Sequence, residues 1–261
     1  MTIATDQFVN CEEVASGVNV VTINRPERRN ALNLAVKQQL TTAIEKLSAD
    51  AQVRVIVLTG AGGYFVAGTD IAEMAGMTPT SHTLLATDRV FNVMRQSGKV
   101  LIAAVEGYAL GGGCELALTC DLIIAGETAK LGQPEICVGI MPGAGATQRL
   151  VRTIGKYQAL RLLLTGEPVT AGVAFAMGMV SEVVADGGAL TQAITLAKKI
   201  ASMPPLAVRA IKEVVQQGHD VPLETALLLE RKAFQLLFDT QDQKEGMQAF
   251  LEKRKPVFQG H

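Results

Sequence analysis

Two carboxylates stand out for where they sit: Glu115 directly follows Gly111-Gly112-Gly113-Cys114, and Glu135 follows Gln133-Pro134. Carboxylates placed at turns can act as general acid and base. The stretch Gly107-Tyr108-Ala109-Leu110-Gly111-Gly112-Gly113-Cys114-Glu115 lies between the apolar runs 100–105 and 116–118 and reads as strand, glycine turn, helix. Successive glycines let the backbone adopt positive φ and admit a ligand closely, and the helix start aims free N–H groups back at the turn. Such a turn is a candidate anion or oxyanion site with a carboxylate beside it. A second glycine-marked loop, Gly62-Gly63-Tyr64-Phe65-Val66-Ala67-Gly68-Thr69-Asp70, follows another apolar run and suits a ligand loop. A third turn, Met141-Pro142-Gly143-Ala144-Gly145, follows Glu135.

Other chemistries fit less well. No Gly-Lys-Ser/Thr follows the glycines and no G-x-G-x-x-G is completed, which disfavours the usual phosphate cradles. His82, His219 and His261 stand far apart with no metal-ligand spacing, and there is no G-x-S-x-G elbow for a serine nucleophile. Arg25, Arg28 and Arg29 form a small basic cluster that could hold phosphates or be a solvated corner; charge logic alone favours the corner. Glu115 taken alone could do no more than complement a helix dipole.

The elements that must position these groups follow a strand and helix alternation. Residues 8–15 and 18–24 read as a hairpin-like pair joined at Gly17 and ended by Arg25-Pro26. Apolar residues recur at helical spacing over 33–47 with Asn33 as N-cap, and 53–59 is a β-branched run closed by Gly60. A helix is expected over 82–95, then strands at 100–105 and 122–125. From Gly155 onward the pattern is mainly helical, with 180–184 the one clear strand. Pro204-Pro205 breaks a helix that begins near Ala189, and amphipathic stretches follow at 206–217, 223–238 and 243–252. An α/β core over residues 1–200 and a helical region over 201–261 are expected.

Charges nearly cancel, with 24 Lys plus Arg against 25 Asp plus Glu, so no whole-protein field draws nucleic acid or an anionic membrane. No apolar run reaches the ~18 residues of a membrane span, and Met1–Asp6 has no basic or apolar leader character. Cys11, Cys114, Cys120 and Cys137 lack close pairing and are expected to be reduced. A soluble cytoplasmic protein is the expectation.

Taken together, several motifs in order resemble the enoyl-CoA hydratase/isomerase, or crotonase, family. They are Arg25-Pro26 through Asn30-Ala31-Leu32, Ala67-Gly68-Thr69-Asp70, Gly107 to Glu115, Gln133-Pro134-Glu135, Pro142 to Leu150, and the tail from Glu245 to Arg254. The resemblance covers almost the whole chain. It implies an α/β fold, a crotonase-type spiral of ββα units, with a helical C-terminal trimerisation region and often a hexamer of two trimers. It implies an acyl-CoA thioester as substrate, with coenzyme A part of the substrate and neither a metal nor a redox cofactor. It places the backbone N–H groups of Thr69 and Gly112 on the thioester oxygen. Glu115 and Glu135 match the two glutamates that hold water in hydratases, in either order of acid and base. Relatives that only shift a double bond commonly keep the later glutamate alone, so the pair favours hydration of a trans-2-enoyl-CoA over isomerisation. Ala67 and Asp70 match the loop that meets coenzyme A, with Ala67 a backbone contact for the adenine. Arg28 and Lys253 match phosphate contacts, the latter from a neighbouring subunit. Such hydratases serve both fatty-acid oxidation and aromatic-acid degradation.

The sequence departs from the family pattern at Thr69, where Ala or Ser is commoner, at Val66, which is bulkier, and at Ala146, where Gly is common. Two rival readings remain: an enoyl-CoA isomerase or other crotonase-type lyase, and a non-catalytic binding protein on the same fold, such as an RNA-binding relative. The near-zero net charge and the intact glutamate pair speak against the second.

Overall fold

In the computed structural model, which describes residues 7–261, the chain forms a mostly parallel sheet flanked by helices. The segment 1–6, read above for targeting features, lies outside the described residues. The first elements are β1 (Val9–Ala15), β2 (Val18–Ile23), α1 (Leu34–Ala49) and β3 (Val55–Gly60). Next come α2 (Ile71–Met74), α3 (Pro79–Leu84), α4 (Arg89–Gln96), β4 (Val100–Val105), β5 (Tyr108–Leu110) and α5 (Gly112–Thr119). Then follow β6 (Leu122–Gly126), β7 (Lys130–Gly132), α6 (Ala146–Thr165), β8 (Val169–Thr170), α7 (Ala171–Ala176) and β9 (Glu182–Val184). The chain closes with α8 (Ala189–Ala201), α9 (Pro205–Gly218), α10 (Leu223–Leu237) and α11 (Gln241–Leu251).

Period-two side-chain alternation explains the layers. In β3, Val55 and Val57 face α8 while Ile56 and Leu58 face the opposite core; in β4, Val100, Ile102 and Ala104 face α8 while Leu101, Ala103 and Val105 do not. Ala189, Ala193 and Ala197 recur every four residues on α8 and form one small-residue stripe against the sheet. The other face is covered by α1, whose N-cap Asn33 accepts the Val36 N–H at 2.8 Å, and by α4 and α5. Buried on both faces, these strands read as continuous apolar runs. The six-stranded order is β1-β2-β3-β4-β6-β9, antiparallel only at the β1–β2 hairpin.

A second sheet, β5-β7-β8, was not expected from the sequence. Its strands have three, three and two residues, too short for a periodic signature. The helix expected over 82–95 is two helices, because Ala86 takes a left-handed φ of 44° and ends the run. The three C-terminal helices lie within two residues of their expected bounds. None of α9 and α10 has a fully buried residue, and Leu236, Phe250 and Leu251 stand more than 70% exposed. Among the described residues no helix is long and apolar enough to cross a membrane.

Candidate active site

The three glycine-marked loops meet at the C-terminal ends of β3 and β4. Gly111 holds φ 50°, ψ −125°, a conformation that side-chain-bearing residues rarely take, and its N–H donates to the Gly132 carbonyl at 2.9 Å. A Cβ at Gly113 would overlap the Val66 carbonyl, so this glycine allows the loop after β3 to lie against α5. Two isolated parallel bridges, Leu32 with Thr69 and Val66 with Ala109, bind that loop on both sides.

This packing brings Thr69 and Gly112 together: a Cβ built on Gly112 would stand 2.7 Å from Thr69 Oγ1 and 3.8 Å from the Thr69 nitrogen. Leu32 N–H donates to Gly68 O, and Asp70 N–H donates to Leu32 O at 2.9 Å, so the bridge uses the amides on either side of Thr69 and leaves the Thr69 N–H unengaged among the described residues. Gly112 is the first residue of α5 and has no carbonyl one turn back to receive its N–H. Two backbone donors therefore stand side by side at the positive end of a helix dipole.

Both glutamates flank this pair. Glu115, in the first turn of α5, is 3% exposed, and its Oε1 accepts the N–H groups of Ala144 (2.7 Å) and Ala146 (3.1 Å). The third glycine-marked turn thus clamps one carboxylate oxygen and leaves the other free of these bonds. Glu135 stands on a 3-10 turn, Pro134–Val138, with Oε1 2.9 Å from the position a Gly111 Cβ would take. A side chain at 111 would collide with this carboxylate.

Burial raises the pKa of Glu115, against which the two amide bonds, Arg149 and Lys37 act. Burial pushes the Glu135 carboxyl further, to about 7; its own backbone amide opposes the shift and the Glu115 charge adds to it. Two carboxylates facing one space separate in proton affinity, the better hydrogen-bonded one keeping its charge more readily.

Two positioning residues were named in the sequence only as parts of longer motifs. Gln133 is fully buried and, with its amide nitrogen turned to the carboxylate, donates to both Glu135 oxygens at 3.1 Å. Beside it, burial drives the Cys114 thiol up to about 12, so this cysteine stays protonated. Asn30, fully buried at φ 59°, accepts the Arg25 N–H (2.8 Å) and donates to the Ala61 (2.9 Å) and Tyr64 (2.8 Å) carbonyls, tying the loop after β2 to the loop after β3. A short polar side chain that tolerates left-handed backbone was the available clue at Asn30.

The remaining sequence candidates are differently placed. Asp70 caps α2 through the Ala72 N–H (3.2 Å) and pairs with Arg25 Nη1 at 2.8 Å, which holds its carboxyl below the ordinary range. Its carboxylate is thus engaged by the protein. Ala67 donates its N–H to Arg29 O at 3.0 Å, leaving its carbonyl unengaged among the described residues. Arg28 ends the exposed 3-10 turn Pro26–Arg28, while its neighbour Arg29 lies 5.9 and 5.8 Å over the stacked rings of Tyr64 and Tyr108. Lys253 follows α11 in the left-handed region, exposed, its ammonium without hydrogen bond or ion pair among the described residues. The structure does not join Arg28 or Lys253 to the glutamates by any contact among the described residues. Nor does any group of three or more His, Cys, Asp or Glu among them gather as a metal site.

Known proteins resemble this chain in sequence and fold over most of its length. The family profile described as enoyl-CoA hydratase/isomerase matches residues 13–261. The 2,3-dehydroadipyl-CoA hydratase of Escherichia coli is 46% identical over 249 residues, covering 93% of this chain and 95% of the relative. The short-chain-enoyl-CoA hydratase of Clostridium acetobutylicum is 42% identical over 241 residues, 91% of this chain and 92% of the relative. Among solved structures, an enoyl-CoA hydratase subunit I from Geobacillus kaustophilus superposes with a TM-score of 0.94 at 44% identity, covering 98% of this chain and 99% of the other. The enoyl-CoA hydratase from Bacillus anthracis has a TM-score of 0.94 at 39% identity, covering 98% and all of the two chains. On sequence and fold together, the chain belongs to the enoyl-CoA hydratase/isomerase family.

Proposed function

We propose that this protein is an enoyl-CoA hydratase, adding water reversibly to a trans-2-enoyl-CoA to give a 3-hydroxyacyl-CoA. The observation that carries the reading is the convergence of two buried or half-buried carboxylates, Glu115 and Glu135, on the paired backbone donors Thr69 and Gly112. As water attacks C3, the C2–C3 π electrons move toward the thioester and negative charge develops on its oxygen. The Thr69 and Gly112 N–H groups stabilise that charge more than the ground state, which is the condition for catalysis.

Glu115 is the water-activating base: its clamped Oε1 fixes the side chain, and the other oxygen takes a proton as the C3–O bond forms. Glu135, with a pKa of about 7, is half protonated near neutrality and delivers a proton to C2 as the enolate collapses. Proton exchange with solvent then resets the pair. A double-bond shift moves a single proton between carbons and needs one such group. A pair around one space is what water addition requires, and this favours hydration over isomerisation. The Ala67 carbonyl is the adenine contact in this reading, with Asp70 supporting that loop through Arg25, and Arg28 and Lys253 meeting phosphates. The exposed apolar side chains of α6 and α9–α11, among them Tyr157, Leu164 and Phe250, are covered by further copies of the chain in a trimer or hexamer, which light scattering of the purified protein tests directly.

Loss of the conjugated-enoyl absorbance of crotonyl-CoA on adding enzyme, with 3-hydroxybutyryl-CoA as product, is the expected result. No turnover with short, medium or dicarboxylic enoyl-CoAs, or rapid conversion of a 3-enoyl-CoA without hydration, would overturn the assignment.

A further inference from the structure

The N-terminal ends of β3 and β4, at the opposite end of the sheet from the glutamates and roughly 20 Å away along six-residue strands, border a second cavity of about 430 Å³. Three cations line it and no carboxylate does: Arg54 from the entry to β3, Lys99 from the entry to β4, and Arg209 from the first turns of α9. They converge. A Cβ on Gly98 would lie 3.5 Å from Arg209 Nε, and one on Gly260 would lie 3.8 Å from both terminal nitrogens of Arg54. Arg54 and Lys99 are half-buried, and the guanidinium groups of Arg54 and Arg209 make no hydrogen bond or ion pair among the described residues. Lys99 Nζ donates to the Asp50 carbonyl at 2.8 Å. Two acids stand behind the lining: Asp50, whose Oδ1 accepts the Gln52 N–H at 2.8 Å, and the buried Asp242, whose carboxylate is engaged by the N–H groups of Gln259 (2.7 Å) and Gly260 (2.9 Å). The 14-residue helix α9 opens onto the same cavity without a side-chain N-cap. Burial holds the Lys99 ammonium below its ordinary pKa; Asp50 opposes this, and the two arginines reinforce it.

Gathering three like charges on a lining that itself holds no carboxylate raises the energy of the empty cavity, and an anion entering it recovers that energy. The volume lies within the range of small-ligand sites and exceeds what a single phosphate fills. We propose that this cavity binds a small anion bearing a diphosphate group, held by Arg54, Lys99 and Arg209 at the N-terminus of α9. It lies apart from the glutamate site and is independent of the reaction assigned there.

Calorimetric titration of the full chain with inorganic pyrophosphate, ADP and inorganic phosphate tests this at low and high salt. Saturable pyrophosphate binding is expected, weaker for phosphate and weakened by salt. Arg54→Gln and Arg209→Gln should each raise the pyrophosphate Kd about fivefold, the value of roughly 1 kcal/mol for a partly exposed charge contact. Tighter binding of ADP than of pyrophosphate identifies a nucleotide diphosphate as the ligand class; equal binding identifies the free anion. Arg209 is exposed, so its variant keeps the fold, and without ligand its melting temperature at low salt should equal or exceed the parent's. Absence of saturable binding into the millimolar range, equal Kd values in parent and variants, or pyrophosphate binding displaced by a coenzyme A ester would each overturn the proposal. Because binding is read as heat, the outcome stands whether or not the chain hydrates an enoyl-CoA.

Discussion

Replacing Gly112 by alanine adds one methyl group at the point where the two proposed oxyanion donors meet. Its Cβ would stand 2.7 Å from Thr69 Oγ1, whereas its next neighbours, Leu32 Cδ1 at 3.5 Å and the Thr69 nitrogen at 3.8 Å, are at ordinary contact. Gly112 has helical backbone and opens α5, so alanine suits its conformation. The perturbation therefore acts through Thr69, whose hydroxyl must retreat by about 0.7 Å to reach the 3.4 Å of ordinary contact. Thr69 is β-branched and stiff at χ1, so part of that movement passes to its backbone N–H. Losing one oxyanion donor costs roughly 3 kcal/mol, or about a hundredfold in rate, and a misplacement near 1 Å costs a similar factor. Gly112→Ala is thus expected to lower kcat for crotonyl-CoA hydration by about a hundredfold with little change in KM or melting temperature. Thr69→Ala removes the clashing hydroxyl, keeps the N–H and should be nearly silent. The double variant should recover most of the lost rate, since nothing else lies closer than 3.5 Å to the new methyl. If it stays as slow as Gly112→Ala, the methyl obstructs substrate directly and the coupling through Thr69 is wrong.

Glu115→Gln and Glu135→Gln should each reduce kcat by about 10²- to 10⁴-fold while calorimetry shows coenzyme A ester binding nearly unchanged. With Glu135 near 7, the hydration rate should fall as pH rises through neutrality. Gln133 donates to both oxygens of this group and favours its ionised form, so Gln133→Leu should move that alkaline limb to higher pH, whereas a purely structural role would leave it in place. The same shift makes a statement about stability. A carboxyl raised above its unfolded value of 4.5 favours the folded state most fully below that pH, and the contribution disappears as pH rises through about 7. Melting temperatures should therefore show Glu135→Gln gaining on the parent between those pH values; a constant difference across the range would contradict it. Asn30→Ala deletes the three hydrogen bonds of a buried side chain and leaves a non-glycine residue at φ 59°. It should lower unfolding free energy by about 2–4 kcal/mol, measured by urea denaturation, and a loss below about 0.5 kcal/mol would show that the loops do not depend on it.

Much of the architecture was legible because long, strongly patterned segments depend on local rules. The apolar runs of β3, β4 and β6, the Asn33 cap of α1 and the amphipathic C-terminal helices all lie close to where patterning puts them. The second sheet and the break at Ala86 were not legible: two- and three-residue strands exist only because a neighbour supplies their hydrogen bonds, and a single left-handed residue leaves no periodic trace.

The sequence by itself determined which chemical groups this protein has at its turns: two glutamates, three glycine-marked loops and an ordered set of motifs that resemble one family. Those follow from residue type and spacing. Only the tertiary structure decided that Thr69 and Gly112 adjoin, that Ala144 and Ala146 clamp Glu115, that Gln133 steadies Glu135, and that Asp70 serves Arg25 and α2. Each of these contacts joins residues from separate loops or depends on burial. Proton affinity and donor geometry depend on distance and desolvation, which arise when the loops pack against the ends of β3 and β4.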